Sequence, residues 1–158
     1  MPHTAELIAV GTELLLGDIV NLDAQILSQG LSALGINVHY HTVVGDNPLR
    51  LRDALEVARK RADIIITTGG LGPTYDDLTK QTICAVFGRE LELHQDILDD
   101  LRAWFAQKMH KPMPENNVQQ AMLPVGCTVF DNPVGTAPGC AFQEEGVHVL
   151  MLPGPPFE

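Results

Sequence analysis

From Thr68 to Lys80 the chain runs Thr-Gly-Gly-Leu-Gly-Pro-Thr-Tyr-Asp-Asp-Leu-Thr-Lys, which brings glycines, hydroxyls, two adjacent carboxylates and an ammonium together. Gly69, Gly70 and Gly72 allow backbone N–H groups to approach a ligand closely. A helix starting after them adds unpaired donors and the positive end of its dipole. Asp76 and Asp77 can hold a cation against the same anion, since hard divalent ions prefer carboxylate oxygen. This chemistry suits a phosphate ester or pyrophosphate with a divalent metal ion, Mg2+ or similar. Capping of the helix is the competing role for Asp77, but it needs only one of the pair. Lys80, in the first turn, either contacts phosphate or pairs with Asp76 or Asp77 at helical spacing. Thr74 and Thr79 can donate hydroxyls to the anion or stabilise the turn.

Two further loops offer similar groups. Gly11 to Asp18 supplies Gly11 and Thr12 as substrate contacts and Glu13 as a metal carboxylate, with Asp18 behind it. Gly135, Thr136, Gly139 and Gly154 can give backbone donors or close approach to a nucleotide, although turn geometry alone also calls for glycine. Glu158 is a further acidic candidate. His39 and His41 share a strand face without another ligand beside them, and an exposed polar face accounts for them better than a metal.

These loops need a scaffold. Glu6–Val10, Ile36–Val44 and Asp63–Thr67 read as strands, while Asn21–Leu34, a segment opened by Asn47-Pro48, and Leu78–Phe87 read as helices, stopped by Gly35 and Gly88 in the first and third cases. The order β-α-β-α-β-α predicts a parallel sheet with helices on both faces, where ligands bind beyond the carboxyl ends of the strands. The glycine loop and the Gly11 loop both leave such ends, so neighbouring strands would put them in one crevice. Farther on, His94–Met109 reads as an amphipathic helix broken by Lys111-Pro112, Glu115 to Met122 as a short helix, and Cys127–Phe130 and Val147–Leu152 as strands.

Composition narrows the partners. The 158 residues carry a formal charge of -10, which opposes extended contact with nucleic acid or an anionic membrane. An anionic ligand then needs a metal, a helix dipole or a placed lysine. No apolar run is long enough for a membrane span and no secretory signal is evident, so a cytoplasmic location is expected. Three scattered cysteines, Cys84, Cys127 and Cys140, read as reduced thiols.

Taken together, Val10–Asn21, Gly45-Asp46-Asn47, Thr68–Thr74 with Asp76–Lys80, Asn132–Gly139 and Leu152–Pro156 resemble the amino-terminal domain of the CinA (competence/damage-inducible) family, within the MoaB/MogA-like molybdopterin-binding superfamily. The resemblance covers essentially the whole chain. It implies a three-layer α/β/α fold with a mostly parallel central sheet, and in the CinA branch a metal-dependent pyrophosphatase that splits ADP-ribose into AMP and ribose 5-phosphate. In the MoaB/MogA branch it implies molybdopterin binding or adenylylation, with no hydrolysis. After Asn21 the CinA pattern usually reads Thr-Asn where this chain has Leu22-Asp23, which bears on any ligand contact made from that turn. Complete CinA proteins continue into an amidohydrolase domain that is absent here, so residues 1–158 are expected to be a single domain of a longer protein. The expected partner is a small nucleotide or pterin, and self-association into a homo-oligomer is expected of a domain cut after a strand.

Overall fold

The computed structural model describes residues 3–158. Its elements, in order, are β1 (Thr4–Val10), α1 (Thr12–Leu16), α2 (Leu22–Ala33), β2 (Asn37–Val44), α3 (Pro48–Ala58), β3 (Ile64–Thr68), α4 (Thr79–Phe87), β4 (Leu91–Leu93), α5 (Gln95–Trp104), a 3-10 segment (Glu115–Ala121), β5 (Met122–Pro124), β6 (Thr128–Phe130), β7 (Gly139–Glu144) and β8 (Val147–Leu152). The main sheet has the order β2-β1-β3-β8-β7-β6. Its first four strands are parallel, while β7 and β6 are antiparallel additions at one edge.

Side-chain alternation along the strands separates two cores. Ile8, Val10, Ile65, Val149 and Met151 pack with Leu51 and Leu55 of α3 and with Ile83 and Phe87 of α4. On the other face Ala5, Leu7 and Ile66 pack against Ala24 and Leu31 of α2. The fold is therefore the expected three-layer α/β/α arrangement with a mostly parallel sheet. Helix boundaries follow local chemistry. The Asn21 side chain caps α2 by accepting from the Ala24 amide, and Asn47 caps α3, with Pro48 in its first turn.

Several elements depart from the sequence reading. The Gly11–Asp18 segment contains a short helix with no buried residue, so nothing in its apolar pattern announces it. The helix from His94 is regular only to Trp104; a wider turn carries Phe105–Met109 and ends at His110 with a left-handed φ of 51°. The segment from Glu115 winds as a 3-10 helix. Strands β4 and β5 pair with each other in a separate two-stranded sheet, and at three residues each they are too short to show a period. His39 and His41 are exposed residues of edge strand β2, and the His41 Nε2 sits 2.9 Å from the Ser28 hydroxyl of α2.

At the amino end of the sheet, away from the glycine loops, Glu6 is buried at 1% exposure. Arg61 donates to both of its oxygens at 2.8 Å, and the Thr42 hydroxyl donates to Oε1 at 2.9 Å. The guanidinium also lies 3.5 Å from the centroid of the Tyr40 ring. The clamp ties β1 to β2 and to the turn before β3. By contrast, Arg52 and Asp53 form an exposed neighbouring pair, of a kind that adds little stability. Replacement of Arg61 by alanine is expected to lower the thermal unfolding midpoint by several degrees, because it strands a buried carboxylate. Arg52→Ala should move the midpoint by about one degree at most; calorimetry on both variants checks the contrast.

Candidate functional site

The carboxyl ends of β1, β3 and β8 meet at Gly69. Its amide donates to Leu152 O at 3.0 Å, its φ is +92°, and a Cβ there would lie 2.2 Å from Val10 O. Gly70 has φ +67°, and its Cβ would fall 2.0 Å from the Thr79 hydroxyl. Only glycine fits either place. The amides of Gly70, Leu71 and Gly72 have no acceptor among the described residues, and remain free for a ligand.

These residues border a cavity of about 910 Å3, which is also lined by Glu13, Thr74, Asp76, Asp77, Thr136 and Gly154. Because β1 and β3 are adjacent, the first and second loops do share one crevice. Glu13 and Asp76 stand in the same cavity. The Thr74 hydroxyl is 2.5 Å from Asp76 Oδ1 and 2.5 Å from Asp77 Oδ2, while the Thr74 amide donates to Asp77 Oδ2 at 2.9 Å. One hydroxyl proton is thus offered to two carboxylates, whose oxygens lie within twice that distance of one another. Asp77 does not cap α4, whose N-cap residue is Leu78.

Other expected residues lie elsewhere. Gly11 donates its amide to Val44 O, and Thr12 uses its amide and hydroxyl on Asp46 Oδ2 at 2.9 and 2.8 Å; neither lines the cavity. Gly135 borders a smaller neighbouring cavity of about 200 Å3, and its amide is taken by Asn132 Oδ1 at 2.9 Å. Lys80 is the clearest departure. It is 3% exposed, and its ammonium donates to Gln119 O at 2.7 Å and Gln120 O at 3.3 Å. It therefore neither reaches the cavity nor pairs with Asp76 or Asp77. Its helical position turns it toward the 3-10 segment instead of the glycine turn. Burial lowers its pKa to about 8, partly offset by nearby thiols and Asp77.

Sequence reasoning gave no site role to three features. Asp46, at the carboxyl end of β2, lines the cavity, and the strand-end rule applied to the other two loops would have found it. Asp23, in the first turn of α2, lines it too; burial pushes its carboxyl up from the ordinary value, with the Thr68 hydroxyl acting in the opposite sense. The third is the 3-10 segment, which fastens the glycine turn. Gln119 Nε2 donates to Gly72 O at 2.8 Å and Thr74 O at 2.9 Å, Asn116 to Pro73 O at 3.1 Å, and Gln120 to the Thr136 hydroxyl at 3.0 Å.

The cavity gathers six carboxylates, from Glu13, Asp23, Asp46, Asp76, Asp77 and Glu158, and no Lys, Arg or His. Beside it, Asp46, Asp76 and Thr79 border a void of about 10 Å3, roughly the room one water needs. The Thr79 hydroxyl there is buried without a partner. Among the described residues no three His, Cys, Asp or Glu groups form a ready-made metal cage.

The family described as a probable molybdopterin binding domain matches residues 6–158. A solved structure of the protein CinA from Thermoplasma acidophilum, described as of unknown function, is similar with a TM-score of 0.87 and 34% identity, over 98% of this chain and 90% of that one. The chain belongs to the CinA-type molybdopterin-binding domain family. A protein from Acetivibrio thermocellus named as competence-damage inducible is 53% identical over 98% of this chain. The chain spans 37% of that relative's length. The molybdopterin biosynthesis enzyme MoaB from Thermus thermophilus shares the fold, with a TM-score of 0.64 at 18% identity over 98% of this chain and 82% of that one. Among the described residues of this CinA-type domain, no helix is long and apolar enough to cross a membrane.

Lys80 gives a testable pH dependence. With a folded pKa near 8 against an ordinary value of 10.5, the unfolded chain binds more protons between those limits, so this residue makes stability rise with pH there, by about 3 kcal/mol in all. Burial raises the Cys84 and Cys140 thiols to about 11 and about 12, and these oppose the rise above their ordinary value. The difference between wild type and Lys80→Met isolates the lysine. Urea unfolding should show that difference changing between pH 8 and 10, in favour of wild type as pH rises, and staying flat below pH 7.

Proposed function

We propose that the domain binds a phosphorylated heterocycle of pterin or nucleotide type in the cavity beyond β1, β3 and β8, together with a divalent cation. One observation carries the reading: free backbone amides and six carboxylates share a single cavity that has no cationic side chain. Such a site would repel a bare anion, and accepts one only when it arrives with a metal.

The amides of Gly70, Leu71 and Gly72 would donate to anionic oxygens. Asp76 and Asp77 would hold the cation, with Glu13 and Asp46 lining the same cavity, and the unpartnered Thr79 hydroxyl offers a further oxygen beside Asp46 and Asp76. When bound, the ion supplies charge neutralisation at phosphate and polarisation of a coordinated water. Gln119 and Asn116 keep the 72–74 turn in place through its carbonyls.

The family description favours a molybdopterin-type occupant that is bound and presented. Cleavage of a nucleoside diphosphate sugar such as ADP-ribose is the second reading. The observation in its favour is the cavity's volume, about 910 Å3, at the upper end of small-molecule sites and roomy for a pterin alone.

Calorimetric titration with ADP-ribose and with a pterin phosphate, in Mg2+ and in EDTA, tests the proposal. Binding of at least one should weaken about tenfold or more in EDTA and in Asp76→Asn. Affinity indifferent to both would overturn it. Release of AMP in the same samples selects the hydrolytic reading, and saturable binding without AMP selects the pterin reading.

A further inference from the structure

Two helices carry aliphatic side chains that the chain itself does not cover. In α1 three leucines occupy five positions and none is buried, although a helix so short depends on packing to hold in water. In α2, Ala24, Leu27 and Leu31 pack toward the sheet, so helical geometry turns Leu22, Ile26, Gln29 and Ala33 the opposite way, where all four are exposed. Leu15, Leu16, Ile19, Val20, Leu22 and Ile26 are between 45% and 76% exposed. Together they open roughly 600 Å2, as much as a monomer ordinarily leaves bare and most of the roughly 800 Å2 that each partner brings to a standard interface.

Charge and side-chain size describe what covers this face. From Leu14 to Leu34 the only charged residues are Asp18 and Asp23, and neither lies on the outward stripe of α2. Two chains of formal charge -10 repel over most of their surface, and they meet at least cost where charge is lowest. The stripe is also complementary to itself. Large Leu22 and Ile26 occupy its first half and small Gly30 and Ala33 its second, so antiparallel pairing sets the large pair of each copy over the small pair of the other. Gly30 has no duty inside the chain. Beyond its own helix, a Cβ there would meet nothing within 4 Å among the described residues, and glycine in a helix interior lowers stability. A second helix crossing at that point accounts for it.

We propose that the chain forms a two-fold dimer in which α2 packs antiparallel against α2 of a second copy, with Leu15 and Leu16 of α1 closing the flank. Ile19, Val20 and Leu22 also line the large cavity, so the second copy stands at its rim. The pairing needs neither the ligand nor the cation proposed above.

Sedimentation equilibrium of the wild-type chain across the micromolar range tests the dimer. The mass should be twice that of the chain, and association should tighten with added salt, because screening removes repulsion between like-charged copies and leaves apolar burial in place. Ile26→Asp should weaken association at least about tenfold by setting an unpaired carboxylate against the partner. Gly30→Leu should weaken it as much by holding the helices apart, while raising the thermal midpoint of the diluted monomer, since leucine is the better helix former. Circular dichroism checks that both variants stay folded. A wild-type chain that remains monomeric overturns the proposal. So does a dimer that both substitutions leave intact, or one that loosens with salt, which would mark an ion-paired contact on another face.

Discussion

Unbalanced charge governs this molecule's functional end. Carboxylates from loops after β1, β2 and β3 converge on one cavity, and the chain's few cations are spent elsewhere: Arg61 on Glu6, Arg89 on Glu144, Lys80 on backbone carbonyls. Mutual repulsion among the acids costs stability unless something positive or hydrogen-bond donating enters. The fold tolerates it because the acids sit on short turns stiffened from behind, with the Thr74 hydroxyl and amide gripping Asp76 and Asp77 and the Thr12 hydroxyl and amide gripping Asp46.

That stiffening comes from two directions. From below, the parallel strands hold their carboxyl ends level, with β1 between β2 and β3 and β8 beyond β3. From the side, the 3-10 segment reaches the glycine turn with side-chain amides and is itself held by the Lys80 ammonium. A buried lysine without a carboxylate partner is an expensive fastener. Here it donates to two consecutive carbonyls at the end of a short helix, one of which, Gln119 O, also accepts from the Met122 amide.

The sequence revealed much of this because the informative features were local. Helix caps at Asn21 and Asn47, the left-handed glycines at 35 and 88 and the apolar run Ile64–Ile66 each specify their geometry without help from distant residues. The strand-end rule then brought Glu13, the glycine turn and Asp76–Asp77 into one crevice. Lys80 was misjudged because its fate depends on a segment that follows it by some forty positions, a contact no local pattern encodes. Gln119 and Asn116 escaped notice for the same reason, since polar side chains on an irregular helix look like a solvated face. Asp46 was legible in principle, since it follows the carboxyl end of β2; Asp23, in the first turn of α2, was marked only as a departure from the family pattern at that turn.

The Pro153–Pro156 loop comes to rest against the glycine turn backbone to backbone. A Cβ on Gly154 would lie 3.1 Å from the Gly69 Cα, and one on Gly69 would run into Val10. Main chain from three strands is thus stacked without side chains as spacers. A side chain on Gly69 would meet main chain that cannot move aside, whereas one on Gly154 would require the Gly69 backbone to give by a few tenths of an ångström, so the third loop braces the glycine turn through bare main chain.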